Sequence, residues 1–400
     1  MSGSSLVGAL SLGLLALQLP ATFLLLSRLF RGARRQPPIL PRTASAAQQR
    51  TVSVVVPTLN EAHRIEPCLS GLSQQGDEVR EIIVVDSRST DGTQAKVEAM
   101  AQRDPRIRLV TDEPLPDGWV GRPWALHTGY LNADPKSDWI VGVDADTQPQ
   151  PGLIASVLHE AETQHYDIIS LSPRFILQSA GEWWLQPALL MTLVYRFDSA
   201  GVGRPEAERV MANGQCFLSR RSALAAMDGY SCAADSFCDD VTLARAAAQR
   251  GFRVGFLDGA QVISVRMYEG ITETWQGWGR SLDLKDAAST GQLWCDLWML
   301  VCTQGVAIPA LLLLVGLVWG GNDSPMLMAA IALNLLLLLI RCGMQIAVAG
   351  SYQWPRRLWS VAQCFWLAPL ADPLAAFRIA LSSFQDSIQW RGRTYQKGSI

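Results

Sequence analysis

The apolar positions of this chain fall into three regimes. Residues 1–27 carry no charge, and the run "LVGALSLGLLALQLPATFLLL" is long enough to cross a bilayer as a helix. It lacks the basic start of a secretory signal and is too long for a signal's apolar core, so a retained anchor is the better reading. The flank that follows, "RLFRGARRQPPILPRT", holds Arg28, Arg31, Arg34, Arg35 and Arg42. The positive-inside rule places such a flank in the cytoplasm. The pattern predicts a transmembrane anchor over residues 1–30 and a Pro- and Ala-rich linker over 31–50.

From Thr51 to Gly291 the pattern changes to short apolar runs set between polar turns. Four runs read as strands: "VSVVVPT", "EIIVVDS", "IRLVTDE" and "WIVGVDA". Helical periods stand between them at Arg64–Ser73 and Thr93–Arg103. Strands alternating with helices predict an α/β domain with a parallel sheet covered on both faces, and near-continuous apolar strands suit that burial. One segment is different. "GEWWLQPALLMTLVYRFDSAG", residues 181–201, is apolar and Trp-rich but short for a span. It is read as an interfacial helix with Trp183 and Trp184 in the headgroup layer, against the plainer reading of a core helix.

Residues 292–400 return to the membrane pattern. Leu297–Asn322 is uncharged, and Ser324–Gly350 is apolar apart from Arg341. The polar turn "GGNDSP" between them predicts a hairpin with its tip outside, and the basic loop "GSYQWPRRLWS" falls on the cytoplasmic side. The last segment, Leu358–Phe384, is interrupted by Pro369, Asp372, Pro373 and Arg378 and precedes the basic "WRGRTYQK". A broken or re-entrant segment that returns the C-terminus to the cytoplasm is expected. The whole reads as a multi-pass integral membrane protein whose middle domain faces the cytoplasm.

Composition adds less. Apolar residues make up 49% of the 400, and the mean hydropathy is +0.13, which argues against a purely soluble chain. A net charge of -2 gives no reason to expect nucleic acid. The 8 cysteines form no CxxC and the 4 histidines are scattered, so neither a zinc site nor a disulfide framework is indicated. Buried reduced thiols are the expectation.

The candidate chemistry lies in three acidic clusters: Asp86, the pair Asp144 and Asp146, and the pair Asp239 and Asp240. In open α/β sheets ligands bind beyond the carboxyl ends of the strands, where Asp86, Asp144 and Asp146 are predicted to stand. Residues two apart on extended chain face the same way, so Asp144 and Asp146 can converge on one ligand. A divalent cation with a diphosphate fits them, because it needs few protein oxygens. The plainer readings are that loops after strands are often acidic, and that Asp239 or Asp240 caps the helix beginning at Val241. Three clusters, each at the expected end of its element, favour a site.

In order along the chain, "VSVVVPTLNE", "IIVVDSRSTDGT", "VGVDADT", "NGQCFLSRRSALAAMDGY", "CDDVTLARAAAQRGF" and "WQGWGRS" resemble the motif series of family 2 glycosyltransferases, over roughly Val52–Leu284. The resemblance implies a GT-A fold, a Rossmann-like nucleotide-diphospho-sugar transferase domain. That domain would cover residues 51–291, between the N-terminal anchor and C-terminal transmembrane helices over 292–400. The flanking apolar segments, "GWVGRPWAL" and "WRGRTY" look like the lipid-modifying branch that includes ceramide- and hopanoid-associated glycosyltransferases. "RMYEGITETWQGWGRSLDLKDA" is most similar to carotenoid 2'-O-glycosyltransferases.

The same resemblance implies the roles. Pro57, Asn60, Glu61 and Asp86 would line the nucleotide, and Asp144 would lie near the ribose and diphosphate. Asp146 would bind the metal, Mg or Mn. Asp240 would be the base, and Gln276 and Arg280 stand where the family's Gln-x-x-Arg-Trp motif closes over diphosphate and acceptor. The plainer reading of that last stretch is an amphipathic helix anchored by Trp275 and Trp278. Arg122 takes the place of a lysine in relatives and keeps a positive charge for phosphate, though not its geometry. Ser281 replaces the motif's tryptophan, which favours one transfer over polymerisation. Ser87 stands where many members have a second Asp. The helix N-terminus at Asp240 is expected to favour its ionised form. The implied reaction moves one sugar, with inversion, from a UDP- or GDP-linked donor to a hydroxyl of a membrane lipid, the favoured acceptor being a carotenoid. The rivals are a ceramide- or hopanoid-type acceptor, a processive polysaccharide synthase, and a non-catalytic nucleotide-binding scaffold.

Overall fold

The computed structural model describes residues 3–197, 199–203, 206–282, 289–355, 359–383, 387–390 and 393–396. The chain divides into two units. One comprises Arg35–Ile176, Ala200–Met267 and Asp386–Ile400, and the other Met1–Arg34, Leu177–Ser199 and Tyr268–Gln385.

Among the described residues the first unit holds twelve strands: β1 (Val52–Thr58), β2 (Val79–Asp86), β3 (Ile107–Thr111), β4 (Trp139–Val143), β5 (Thr147–Pro149), β6 (Ile168–Ser172), β7 (Arg174–Phe175), β8 (Cys216–Arg220), β9 (Val254–Asp258), β10 (Ile263–Val265) and the terminal hairpin β11 (Ser387–Trp390) and β12 (Arg393–Gln396). Seven of them form one sheet in the order β3-β2-β1-β4-β8-β6-β9. The four strands expected from the apolar runs are β1 to β4, and their mutual pairings are parallel. Val52, Val54, Val55 and Val56 have no exposed surface, because helices cover both faces of β1. The helix Gly121–Asn132 comes close enough to β1 that a side chain on Gly129 would overlap Val55.

The sheet is mixed, not wholly parallel as expected. β8 runs antiparallel to both of its neighbours, β4 and β6. The reversal matters for the site: Cys216 at the start of β8 pairs with Val143 at the end of β4. Beyond β4 the chain does not leave the fold at its prolines. Thr147–Pro149 becomes an edge strand of a small sheet, β5-β10-β7, a position where proline is tolerated.

The stretch expected as a linker is laid along this unit from residue 35. Gln36 N–H donates to Gly201 O and Ile39 N–H to Asp258 O, each at 2.9 Å. Ser156 Oγ donates to Leu40 O at 2.8 Å, Gln48 Nε2 donates to Glu162 Oε2 at 2.7 Å, and Ile39 joins the core.

The second unit is apolar and helical. Among the described residues three helices are long and apolar enough to cross a membrane: Leu6–Arg34, Pro325–Ser351 and Ser360–Ser382. A fourth candidate is the pair Thr290–Gly305 and Ala307–Trp319, bent by 48°. The break expected in the last segment is a 3-10 stretch, Gln363–Ala371, within a continuous run; the sharp bend falls in the earlier one, beside a π turn at Val301–Gly305. Asp372, read as an interruption, has a partner. Arg341 donates to it from Nε at 2.6 Å and from Nη2 at 3.1 Å, and Gln304 Nε2 donates at 2.9 Å. A second buried cluster joins Arg28 to Asp296 at 2.8 Å and Arg196 to Asp296 at 3.5 Å.

The segment read as interfacial is the helix Ala180–Phe197 of this unit. Trp183 is fully buried, with its ring 5.1 Å from Trp354 and 5.9 Å from Tyr352. The core-helix reading therefore holds for Trp183, because aromatic neighbours from the chain itself cover its face. Among the cysteines, Cys68, Cys216, Cys238 and Cys302 are buried as expected, whereas Cys295 and Cys342 are exposed on apolar helices.

Candidate functional site

The parallel order places the loops after β1, β2 and β4 at one end of the sheet. Antiparallel β8 brings residues 213–215 to the same end, where Asp144 N–H donates to Gln215 O at 3.3 Å. This is the position at which open α/β sheets hold ligands.

Two loops form one side. Asn60 takes a left-handed conformation, φ 56°, which asparagine tolerates better than most residues. Its N–H donates to Ser89 Oγ at 2.8 Å, and its Oδ1 accepts from Thr90 N–H at 2.9 Å. Glu61 is buried and its N–H donates to Thr93 Oγ1 at 2.9 Å. Pro57, in β1, lies beside Val85. Asp86 has no exposed surface. Its carboxylate accepts from Ser89 Oγ at 2.5 Å, Gln94 Nε2 at 2.7 Å, Ser89 N–H at 3.0 Å and Thr58 Oγ1 at 3.3 Å. Asp86 thus organises the loop that surrounds it. At position 87, Ser87 Oγ donates to Asp112 Oδ2 at 2.6 Å, so the carboxylate at Asp86's neighbour comes from the end of β3. That long-range pairing left no local signal.

The other side centres on Arg122, in the first turn of the helix Gly121–Asn132. Its Nε and Nη2 donate to Asp144 Oδ1 at 3.0 and 2.9 Å, and its Nη2 also donates to Gly214 O at 2.8 Å. Its Nη1 donates to Asp239 Oδ2. Burial works against the charge, but Asp144, Asp239 and Asp240 outweigh it and push the guanidinium above its ordinary pKa. Asp144 is further fixed through its carbonyl, which accepts from Thr147 Oγ1 at 2.7 Å. Asp146, two residues on, is half-buried, and its carbonyl accepts from Arg266 N–H at 3.3 Å.

Asp239 and Asp240 open the helix Asp239–Gln249. Burial pushes the Asp239 carboxyl up to about 7; Arg122 opposes this, and the charges of Asp240 and Asp144 add to it. Burial also raises Asp240, against Arg122 and the backbone N–H groups of Val241 and Gly214. Burial thus works against the ionised form that the helix N-terminus is expected to favour at Asp240. A carboxyl raised in this way suits proton transfer near neutral pH.

The described residues thus bring together Arg122, Asp144, Asp239 and Asp240, with Gly214 between them. Asp239 belongs to the third acidic cluster expected from the sequence, whereas Gly214 acts through its backbone and carries no side-chain signal. Gln276 and Arg280 belong to the helix Gly270–Leu282 of the apolar unit; Gln276 is exposed, and the Arg280 side chain lies outside the described residues. No group of three His, Cys, Asp or Glu side chains with metal-site geometry occurs among the described residues. The oxygen chemistry still fits a hard cation bound by few protein groups. Three carboxylates surround one guanidinium, which leaves negative charge in excess, and Asp146 stands beside them.

The chain resembles several known proteins. It is 27% identical over 259 residues, 63% of this chain and 67% of the relative, to a 4,4'-diaponeurosporenoate glycosyltransferase of Staphylococcus haemolyticus. It is 27% identical over 272 residues, 67% of this chain and 53% of the relative, to a beta-monoglucosyldiacylglycerol synthase of Synechocystis. Among solved structures, it resembles the mannosyltransferase PcManGT of Pyrobaculum calidifontis, solved with GDP-Man and Mn2+, at a TM-score of 0.50 and 18% identity. That match covers 92% of this chain and 99% of the other. At such identity the likeness speaks for the fold alone, a GT-A-type α/β fold with a mixed sheet. The model of glycosyl transferase family 2 matches residues 53–227, from β1 through β8. Over those residues the chain resembles a family 2 glycosyltransferase domain.

Proposed function

We propose that this protein is a membrane-bound glycosyltransferase that moves one sugar from a UDP- or GDP-linked donor to a membrane lipid, the favoured acceptor being a hydroxylated carotenoid. The observation that carries this reading is the carboxylate cluster around Arg122 at the carboxyl end of β4, in a region that resembles a family 2 domain. The carotenoid-related name of the first relative and the apolar helices support a lipid acceptor. The transferase domain is centred on the unit of Arg35–Ile176 and Ala200–Met267 and faces the cytoplasm.

In this reading Pro57, Asn60, Glu61 and Asp86 shape the nucleotide pocket. Asp146 holds a divalent cation, Mg or Mn, which when bound neutralises charge on the departing diphosphate. Asp144 borders the diphosphate. Asp240 takes the proton from the acceptor hydroxyl, which is a poor nucleophile until that proton is drawn off. A single displacement inverts the sugar's anomeric centre.

A second reading, favoured by the match to the diacylglycerol glycolipid synthase, replaces the carotenoid with a glycerolipid hydroxyl. One experiment tests both: membranes holding the full chain are supplied with labelled UDP- and GDP-sugars and a panel of carotenoid and glycerolipid acceptors. The expected result is one glycosylated lipid, with the rate reduced by roughly 10²–10⁴-fold in Asp240→Asn. No product from any donor sinks the activity; full product from Asp240→Asn removes Asp240 as base. An acceptor that is a carboxylate, as the name of the first relative denotes, is already ionised and makes less demand on Asp240.

A further inference from the structure

The resemblance sets Arg122 in the place of a lysine, and a lone cation beside a diphosphate site is easily taken for a phosphate ligand. Its surroundings argue otherwise. A guanidinium has five N–H donors, arranged so that pairs of them can grip an oxyanion in parallel. Here Nε and Nη2 both serve Asp144, Nη2 also serves Gly214 O, and Nη1 serves Asp239. No pair is left to face a phosphate. Two carboxylates also bond the one cation directly, so the local charge does not attract an anion. The side chain is only 15% exposed.

What these bonds join is more telling. Asp144 ends β4, Asp239 begins the helix Asp239–Gln249, and Gly214 precedes β8. The peptide at Gly214 is shared: its carbonyl accepts from Arg122, while its N–H acts on the Asp240 carboxylate. One planar fork therefore fixes three chain segments that meet at the reacting end of the sheet. A lysine could not do this, because a single ammonium cannot hold three directions at fixed angles.

We propose that Arg122 is a positioning residue, which sets Asp240 and the Asp144 loop in register through Asp239 and Gly214 and does not bind the donor's diphosphate. The inference rests on the transferase reading above. Glycine at 214 is part of the device, since a methyl group there would overlap Arg122 Nη2. The overlap falls on the end of a flexible side chain, so Gly214→Ala displaces the guanidinium while leaving the fold intact.

The test uses the full chain in detergent micelles, as wild type, Arg122→Lys and Gly214→Ala. Three quantities are read: Mn2+-dependent binding of UDP and GDP, steady-state KM and kcat, and thermal midpoint. A misplaced reacting group costs on the order of 100-fold in rate, so both variants are expected to lose about that much kcat. Nucleotide affinity and donor KM are expected to stay within about threefold, with the Gly214→Ala midpoint unchanged. The proposal is overturned if Arg122→Lys weakens nucleotide binding tenfold or more while kcat survives. It is equally overturned if Gly214→Ala turns over like wild type. A wild-type chain that binds nucleotide but transfers no sugar defeats the proposed activity instead, and the binding arm then still decides whether Arg122 contacts diphosphate.

Discussion

The ion pair between Arg341 and Asp372 gives a prediction independent of any catalytic reading. The two side chains are 4% and 2% exposed, in helices long and apolar enough to lie in a bilayer. Replacing Arg341 with Met removes its two hydrogen bonds to Asp372, at 2.6 and 3.1 Å, and a third to Gln345 Oε1, and leaves the Asp372 carboxylate in an apolar setting beside Gln304 at 2.9 Å. Breaking a buried pair from one side costs roughly 3–5 kcal/mol, and a lone charge in the middle of a membrane helix about 2.5–3.5 kcal/mol. The surviving Gln304 bond sets the expectation near the lower bound, about 3 kcal/mol. For a unit of this size that is a fall of roughly 6–12 °C in thermal midpoint, measured by intrinsic tryptophan fluorescence in detergent. The double variant Arg341→Met with Asp372→Asn is neutral on both sides and should recover at least half of the loss, a coupling of about 1.5 kcal/mol. A single variant that melts within about 2 °C of wild type, or a double variant worse than the single, refutes the buried-charge argument.

Two further expectations concern the site. The acid limb of the pH–rate profile should lie well above the ordinary aspartate value of 3.8, since burial raises both Asp239, to about 7, and Asp240. Activity rises with pH as the base loses its proton. Asp239→Asn removes a neighbouring negative charge and frees Arg122 to act on Asp240, so its limb should move to lower pH; a limb that stays put or rises counts against the coupling. In Asp146→Asn the Mn2+ concentration for half-maximal rate should increase by about tenfold or more, and an unchanged titration would take Asp146 out of the cation site.

Much of the first half of the transferase unit was legible in the sequence. β1, β4 and the Ile82–Val85 part of β2 are near-continuous apolar runs, and such runs announce themselves without tertiary context. The helices Ile65–Ser73 and Thr93–Ala101 fell within the predicted spans. What escaped was non-local. "CFLSR" says nothing of strand direction, so antiparallel β8 and the mixed sheet could not be read from it. The three short strands of the second sheet are too brief to carry a period. Trp183 looked interfacial because its neighbours are apolar; that Tyr352 and Trp354 cover it depends on chain folding back from far along the sequence. At the site, residue types and their placement at strand ends were readable, but their partners were not. The ties of Arg122 to Asp144 and Asp239 span 22 and 117 positions, and no local pattern carries them.

The reversed strand has a cost in time. β8 lies between β4 and β6, yet about seventy residues separate Val143 from its partner Cys216. At ribosomal speeds of about 5–20 residues per second, the outer edge of β4 waits roughly 4–15 s for its neighbour during synthesis. In that interval the nascent chain must also deliver the Trp-rich helix Ala180–Phe197, which belongs to the apolar unit. A growing polypeptide with an unpaired, fully apolar strand edge is prone to mispairing with other chains. The strand that completes the reacting end of the sheet therefore also sets the window in which newborn chains are most exposed to aggregation, and slower elongation between residues 144 and 216 should lower the yield of folded protein.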